Sequence, residues 1–298
     1  MSDSRDSSVE AGSPGGGFVT RFAPSPTGLL HRGHAFSVLT AYQTARAAGG
    51  RFLLRIEDID AERCRPEFEQ AIHEDLAWLG IEWETPVRRQ SEHLADYEDA
   101  LGRLQDMALL YRCFRTRKEV LDEIARAPHG PEPAPFRGGS LPQAEEEQRL
   151  ECDESFAWRL SLEASRRRLG GGYESMAFRN GSGAENDVEM VQAEPGTAGD
   201  VVLARKGLGV AYHLAVVVDD ALQGITRVIR GEDLFEATHI QVLLQHLLGL
   251  PTPSYRHHAL LLRPDGKRFA KRDTAETLRA IRESGVTAEE LRRQLGFS

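Results

Sequence analysis

FVTRFAPSPTGLLHRGHAFSVLTAYQTARAAGGRFLLRI, residues 18–56, is the stretch of sequence that decides the fold. Residues 18–23 are apolar and β-prone and run into prolines, which predicts a buried strand followed by a loop. Apolar residues then recur at helical spacing over 33–48, and a glycine pair ends that helix. A second apolar run, 52–56, predicts another strand.

The order strand, loop, helix, strand predicts a βαβ unit. Such a unit implies a parallel sheet that binds its ligand at the carboxyl ends of its strands, so the loop 23–34 is the expected binding edge. Patterning elsewhere predicts helices over 66–79, 94–110 and 238–248, strands over 111–116, 201–203, 214–218 and 226–229, and loops of an insertion over 128–142 and 170–199.

Composition narrows the class of protein. The chain has 298 residues, is 40% hydrophobic and carries a net charge of -9. Globular packing is expected, and the negative charge argues against a domain that binds nucleic acid through overall basicity. Local basic runs at 166–168, 267–272 and 292–293 are either RNA contacts or ordinary solvated faces.

Targeting signals are lacking in the sequence. Residues 1–17 have no apolar core of a signal peptide and predict a disordered tail. No run reaches the ~18 apolar residues that a membrane-spanning helix needs. Three scattered cysteines argue against a disulfide framework. We therefore expect a soluble cytoplasmic protein with no membrane partner.

His31, Gly33 and His34 stand where the predicted loop meets the predicted helix. Histidines three residues apart at a helix start can face one ligand. The free backbone N–H groups and the dipole of that helix end favour phosphate. The His-x-Gly-His pattern alone is weak, but its place between a strand and a helix makes it a candidate nucleotide site.

Charged residues flank the same predicted edge. Glu57 follows the second strand, where an acid can hold a substrate ammonium group. The nearby Asp58 and Asp60 suit helix capping or loop solvation better. Arg21 and Arg230 are candidates to bind a carboxylate, because an arginine fork pairs with it at two points.

Asp219 and Asp220 follow an apolar run that begins after Tyr212. Their role stays open between shaping the site and a purely structural one. Further on, Lys267 to Arg272 is a basic segment after Pro264-Asp265. Cations on a loop of this kind can close over a triphosphate and stabilise developing charge.

Together these motifs resemble one family. The run Arg21-Phe-Ala-Pro-Ser-Pro-Thr-Gly, the His31-x-Gly-His34 pattern and Arg55-Ile-Glu-Asp occur in this order, as in the glutamyl branch of the class I aminoacyl-tRNA synthetases. The resemblance implies an α/β fold with a Rossmann-type parallel sheet, a connective insertion and a short C-terminal helical segment that contacts an RNA stem. The implied divisions are the tail 1–17, the catalytic halves 18–112 and 211–250, the insertion 113–210, and 251–298 with the basic loop.

The resemblance also implies the chemistry, which is activation of L-glutamate with ATP and Mg2+. The catalytic residues it implies are His31, His34 and Lys271. The glutamate-binding residues it implies are Arg21, Phe22, Ala23, Pro24, Ser25, Glu57, Tyr212 and Arg230. The ATP-binding residues it implies are His31, Gly33, His34, Leu234, Arg268 and Lys271.

Departures from the family pattern point to a subtype. The KMSKS motif is degenerate, with Arg268 at its first lysine, Ala270 at its serine and Lys271 preserved. Val216 stands where glutamyl-tRNA synthetases usually have Asn, whereas the short glutamyl-Q paralogues read A-V-V-V-D-D there, as this chain does. Only 27 residues follow Lys271, and a domain needs on the order of 100, so no anticodon-binding domain is expected.

The subtype implies a specific acceptor. Glutamate would pass to queuosine at the wobble position of the tRNA(Asp) anticodon stem-loop, on a monomeric enzyme. One alternative is a truncated glutamyl-tRNA synthetase that charges a tRNA 3' end. Another is a non-catalytic RNA-binding paralogue, suggested by the weakened basic loop and the negative charge. A nucleotidyltransferase that makes a small cofactor explains fewer of the motifs.

Some members of the glutamyl-Q group carry zinc, and the resemblance places that site at Cys113, Arg115, Phe136 and Ser140. A tetrahedral zinc site needs about four nitrogen, sulfur or oxygen donors of suitable type. Only Cys113 retains one of the family's ligands, so no structural zinc is predicted. Cys113 is then expected to be a small buried hydrophobic residue.

Overall fold

The computed structural model describes residues 17–116, 118–120, 135–181, 188–207, 209–261 and 277–297. The predicted tail lies outside the described residues except for Gly17, and so do Arg268 and Lys271 of the basic loop. The strands are β1 Val19–Phe22, β2 Arg51–Ile56, β3 Glu84–Arg89, β4 Leu110–Cys113, β5 Ala157–Leu160, β6 Ala177–Gly181, β7 Val188–Gln192, β8 Val202–Arg205, β9 Gly209–Val210, β10 Arg227–Gly231 and β11 Ser254–His258. The helices are α1 Arg32–Ala47, α2 Pro66–Trp78, α3 Leu94–Asp106, α4 Gln143–Glu151, α5 Leu162–Leu169, α6 Gly171–Glu174, α7 Tyr212–Leu222, α8 Phe235–Leu248, α9 Leu278–Glu283 and α10 Ala288–Gln294.

The predicted βαβ unit is confirmed. Strand β1 pairs in parallel with β2 from Val19↔Arg51 to Phe22↔Leu54, and β2 pairs in parallel with β3. Helix α1 crosses between them and buries Ala35, Val38 and Leu39. The unit forms because continuous apolar runs favour buried strands at 18–23 and 52–56, whereas apolar residues at helical spacing favour the helix between them.

A second group of parallel strands lies beside the first. Strand β10 pairs in parallel with β11, and β11 pairs in parallel with β6. The two groups meet at β1 and β10, where Thr226 N donates to Val19 O at 3.0 Å and Val19 N donates to Thr226 Oγ1 at 2.9 Å. The carboxyl ends of β1, β2 and β10 consequently lie at one edge, and the expected α/β fold is confirmed.

The prediction of a strand over 214–218 is wrong, because these residues lie in helix α7. Every residue from Leu214 to Asp220 is buried. A continuous apolar run of this length fits a helix buried all round as well as it fits a buried strand, and periodicity alone does not separate the two.

The prediction of loops over 170–199 is also wrong in part. Strands β6 and β7 form an antiparallel hairpin within this range, and β6 joins the parallel group where Asn180 pairs with Tyr255. Met176 and Phe178 are each 1% exposed and belong to the main core. The sequence pattern did not predict this hairpin, because the segment is rich in glycine and has few β-branched residues. The position of the hairpin is set by long-range strand pairing.

Strands β4, β5, β8 and β9 form a separate antiparallel sheet. Strands β5, β8 and β9 lie within the expected insertion 113–210, whereas β4 precedes it except for Cys113. The strands are neighbours in the order β4-β5-β8-β9. Among the residues that the structure describes, no helix is long and apolar enough to cross a lipid bilayer.

Candidate active site

A cavity of about 390 Å³ opens at the edge where the parallel strands end. The segments that follow β1 and β2 form one wall, and the end of β10 and the start of α7 form another. All the glutamate-binding and ATP-binding residues expected from the motifs that lie within the described residues line it. They are Arg21, Phe22, Ala23, Pro24, Ser25, His31, Gly33, His34, Glu57, Tyr212, Arg230 and Leu234.

Seven further residues line the cavity that the sequence did not single out. They are Ser37, Ile229, Gly231, Asp233, His258, Leu260 and Leu261. The sequence could have indicated Gly231 and Asp233, because both come within three residues after Arg230, at the end of a predicted strand. His258 ends β11, a strand that the sequence pattern did not predict.

His31 and His34 form the N-terminal cap of α1. The Nδ1 atom of His31 accepts from Gly33 N at 3.1 Å, and the Nδ1 atom of His34 accepts from His31 N at 3.1 Å. Because each Nδ1 is an acceptor, the proton of each neutral ring lies on Nε2. The ring centroids are 3.8 Å apart, so two N–H donors are held side by side at the cavity.

Two glycines in this wall lie close to neighbouring side chains. A Cβ on Gly33 would lie 3.0 Å from His31 Cε1, and a Cβ on Gly231 would lie 2.6 Å from Asp233 Oδ1. The third position of the His-x-Gly-His motif, Gly33, is therefore small because the ring of His31 folds back over it.

Arg21 is held by a buried network of charges. Its Nε donates to Asp220 Oδ1 at 2.9 Å and its Nη2 donates to Asp220 Oδ2 at 3.3 Å. Arg55, which is 0% exposed, donates to the same Oδ1 at 2.8 Å. Burial alone would raise the pKa of the Asp220 carboxyl, but the two guanidinium groups outweigh it and the pKa is lowered. Asp220 therefore contacts a site residue directly.

Asp219 points into the protein and joins elements behind the cavity. Its Oδ1 accepts from Arg88 Nε at 2.7 Å and from the Tyr97 hydroxyl at 2.8 Å, and its Oδ2 accepts from Gln90 Nε2 at 2.8 Å. The sequence left the roles of Asp219 and Asp220 open, and the structure gives the two residues different roles. Asp220 shapes the site, and Asp219 supports the fold behind it.

Glu57 lies directly after β2 with its carboxylate at the cavity. It accepts from Arg55 Nη2 at 3.1 Å and is 8% exposed. Burial raises the pKa of this carboxyl, although Arg55 and Arg21 partly oppose that shift. A positive group of a ligand placed beside Glu57 would favour the ionised form.

Neither neighbouring acid lines the first cavity. Asp58 accepts from the backbone N and the hydroxyl of Ser91 at 2.8 and 2.6 Å. Asp60 pairs with Arg63 at 2.6 Å, and both side chains are exposed. These contacts agree with the capping and loop roles expected for the two residues.

Arg230 approaches the cavity from β10 and is 5% exposed. Its Nη2 donates to Thr238 Oγ1 at 2.7 Å and to Gln241 Oε1 at 2.9 Å. Its Nη1 lies 3.4 Å from the Tyr212 hydroxyl oxygen. Burial raises the pKa of that hydroxyl, which keeps Tyr212 a neutral hydrogen-bonding group.

A second cavity of about 500 Å³ adjoins the first. The two share Ser25, Glu57 and Tyr212 as lining residues. The second has neither histidine in its walls, and Asp60 and Arg205 are among its lining residues. It therefore meets the first cavity at Ser25, Glu57 and Tyr212, away from the end that holds the histidines.

The residues at the expected zinc position do not make a zinc ligand set. Cys113 is 6% exposed and packs in a small apolar cluster that includes Phe136. The Arg115 guanidinium carbon lies 5.8 Å from the centre of the Phe136 ring, and Ser140 is exposed. Cys113 is a buried hydrophobic residue, as expected, and the absence of structural zinc stays a prediction.

Asp200 holds the same region together. Its carboxylate accepts from the Tyr111 hydroxyl at 2.9 Å, from Gly138 N at 3.0 Å and from Leu162 N at 3.0 Å. One buried side chain thus joins β4 to two separate segments of the insertion. Within the described ranges, no group of three or more His, Cys, Asp or Glu residues is arranged to hold a metal ion.

Comparison with known proteins identifies the family. The family model described as tRNA synthetases class I (E and Q), catalytic domain, matches residues 18–297. The glutamyl-Q tRNA(Asp) synthetase of Rhodobacter capsulatus is 46% identical over 94% of this chain and 100% of that protein. The glutamyl-Q tRNA(Asp) synthetase of Symbiobacterium thermophilum is 41% identical over 90% of this chain and 82% of that protein.

Solved structures indicate the same family. The glutamate-tRNA synthetase of Elizabethkingia anophelis superposes with a TM-score of 0.68 at 29% identity, covering 87% of this chain. The chain spans about half of that protein, since the match covers 53% of it. The chain therefore belongs to the class I tRNA synthetases of the E and Q group.

Proposed function

We propose that the protein condenses L-glutamate with Mg2+-bound ATP to give glutamyl adenylate and pyrophosphate. The observation that carries this proposal is that one cavity is lined by the two histidines that carry the Nε2–H donors and by Arg21, Arg230 and Glu57. Glutamate has two carboxylates and one ammonium group, and the cavity offers two guanidinium groups and one carboxylate in return. This complement of charge favours glutamate over glutamine, whose amide cannot pair with an arginine as a carboxylate does.

The proposed first step is displacement at the α-phosphorus of ATP. An oxygen of the glutamate α-carboxylate attacks that phosphorus, and the bond to the bridging oxygen of the β-phosphate breaks, so that pyrophosphate leaves with the electron pair. His31 and His34 donate from Nε2 to phosphate oxygens, where negative charge increases. Lys271 and Arg268 would stabilise the departing pyrophosphate, as the family resemblance implies. No protein group has to take up a proton in this step.

We further propose that the adenylate is attacked by a hydroxyl group of queuosine at the wobble position of tRNA(Asp). The hydroxyl oxygen forms a bond to the acyl carbon, the bond from that carbon to the phosphate oxygen breaks, and AMP leaves. The hydroxyl proton passes to AMP or to solvent. The second cavity would admit this acceptor, because it reaches the glutamate side without crossing the histidine end.

The relatives support queuosine as the acceptor. Identity is 46% to a glutamyl-Q tRNA(Asp) synthetase over its whole length. It is 36% to the glutamate-tRNA ligase of a Synechococcus strain, over 55% of that protein. The likeness to glutamate-tRNA synthetase structures keeps charging of a tRNA 3' end as the second candidate.

The acceptor is tested with radiolabelled glutamate and three substrates: queuosine-containing tRNA(Asp), the same tRNA without queuosine, and tRNA(Glu). We expect label only on the first, and we expect it to persist when the 3'-terminal adenosine has been removed. Label on tRNA(Glu), or label that requires the 3'-terminal adenosine, would instead support the second candidate.

A further inference from the structure

Arg230 has little freedom to choose its orientation. An arginine side chain has five N–H donors in a fixed plane. Two of them, on Nη2, are taken by Thr238 and Gln241. The Nε–H donates to His257 Nε2 at 3.3 Å. One N–H group of Nη1 donates to the Tyr212 hydroxyl at 3.4 Å, so among the described contacts the second N–H group of Nη1 is the one that a carboxylate in the cavity can use.

The contact with His257 sets the tautomer of that ring. Because Nε2 accepts from Arg230, the proton of the neutral ring must lie on Nδ1. There it donates to Asn180 Oδ1 at 2.9 Å. The amide oxygen of Asn180 is thus the group that keeps His257 in the form able to accept from Arg230.

The surroundings keep His257 neutral and its ring fixed. Burial and the nearby Arg230 charge lower the pKa of His257 to about 3, with smaller effects in the same direction from His258 and His239. The Tyr255 ring stacks at 5.9 Å with an interplanar angle of 3°. Phe235 meets the imidazole edge-on at 5.1 Å.

Asn180 belongs to an element that contributes no lining residue to either cavity. It lies on β6, and β6 joins β11 at the pair Tyr255↔Asn180. The β6–β7 hairpin thereby delivers one side chain to the back of Arg230. The chain of contacts runs from Asn180 through His257 to the guanidinium group.

We propose that His257 and Asn180 are positioning residues for glutamate binding, which hold Arg230 so that its Nη1 edge faces the substrate carboxylate. The inference rests on the proposed function. It adds a requirement that the motifs do not contain, because neither residue lines the cavity. Loss of either residue should weaken the binding of glutamate and leave the binding of ATP unaffected.

The test uses glutamate-dependent ATP-pyrophosphate exchange with the full chain. His257→Leu removes the acceptor for Arg230 Nε, so KM for glutamate should rise roughly tenfold or more. KM for ATP should change less than about twofold, since the histidines of α1 are untouched. Asn180→Ala should raise KM for glutamate by a smaller factor, because the ring can then adopt the other tautomer.

Conservative replacement separates positioning from simple packing. His257→Gln supplies an amide oxygen that can accept from Arg230, so it should recover most of the glutamate affinity lost in His257→Leu. The matched control is His246→Gln, an exposed histidine on α8, which should behave as wild type. Thermal unfolding with glutamate or ATP added provides a second readout, in which only the shift caused by glutamate should shrink.

Equal increases in both KM values, or an unchanged KM for glutamate in His257→Leu, would overturn the positioning role. If His257→Leu does not fold, His257→Gln and Asn180→Ala decide the question by the same KM comparison. Failure of the proposed function is distinguishable, because wild-type protein would then show no glutamate-dependent exchange at all.

Discussion

Arg21 and Asp220, separated by 199 positions in the chain, form a two-point ion pair with N···O distances of 2.9 and 3.3 Å. Arg21 lies in β1 and Asp220 in α7, so the pair joins a strand of the first expected catalytic half to a helix of the second. Arg55 contacts the same carboxylate from β2. The cavity is thus built around an internal charge network, and the orientation of Arg21 depends on a residue that does not itself line the cavity.

Asp220→Asn should lower the free energy of unfolding. The change keeps the shape of the side chain but leaves the buried Arg21 guanidinium without its carboxylate partner, whereas Arg55 keeps Glu57 at 3.1 Å. Breaking such a buried pair costs about 3 kcal/mol. Urea unfolding at neutral pH measures the difference. Asp153→Asn is the control, because Asp153 pairs with Lys206 while 91% exposed, and that variant should resemble wild type. Equal stability of Asp220→Asn and wild type would contradict the role given to the network.

Glu57→Gln should raise KM for glutamate in the exchange reaction and leave KM for ATP nearly unchanged. The wild-type pH dependence follows from the raised pKa of Glu57. As the pH falls towards that pKa, the carboxylate is protonated and loses its attraction for the ammonium group, so KM for glutamate rises. In Glu57→Gln, KM for glutamate should be high at every pH and should lack this rise. A variant that keeps the wild-type profile would show that another group controls it.

Gly33→Ala should reduce kcat by roughly tenfold or more, because misplacement of a catalytic group is costly. The added Cβ would lie 3.0 and 3.1 Å from atoms of the His31 ring, so the ring must move. Gly102→Ala is the matched control, because Gly102 is within α3 and no atom of the described residues lies within 4 Å of the added Cβ. The control should keep full activity and gain about 0.5–1 kcal/mol of stability. Unchanged kcat in Gly33→Ala would contradict the proposed role of the histidine pair.

Much of this site is predictable from the sequence because its parts are local. The residues 21–34 carry a strand end, a loop and a helix cap in one continuous run, and parallel strands bring Glu57 and Arg230 to the same edge. Helix α7 was predicted as a strand because Leu214 to Val218 has no period. The contact of Asn180 with His257 depends on pairing between strands 77 residues apart, for which the sequence gives no local signal.

Asp75→Asn should stabilise the protein at neutral pH. Asp75 is 0% exposed, and neither of its carboxylate oxygens has a hydrogen-bond partner among the described residues. Burial raises its pKa from 3.8 to about 6 despite Arg282. Between these two values the folded state binds more protons than the unfolded chain, so the free energy of unfolding falls as the pH rises through this window. Asparagine carries no charge, and the variant should be more stable by about 1–3 kcal/mol at pH values above the window.

The gain should disappear at pH values below the window, where Asp75 is protonated in both states of the wild type. Urea unfolding on each side of the window measures this difference. Glu74→Gln is the neighbouring control, since Glu74 also contacts Arg282, at 3.4 Å, and it should show no such pH-dependent gain. Destabilisation of Asp75→Asn at neutral pH would mean that the Arg282 ion pair, at 3.8 Å, outweighs the cost of burial.

Glutamate-dependent ATP-pyrophosphate exchange without tRNA is the most direct measurement of the central claim, that this cavity activates glutamate. Wild-type protein should exchange label with glutamate and not with glutamine or aspartate, and Lys271→Ala should lose most of that activity. Absence of exchange in the wild type, or full exchange in Lys271→Ala, would contradict the account.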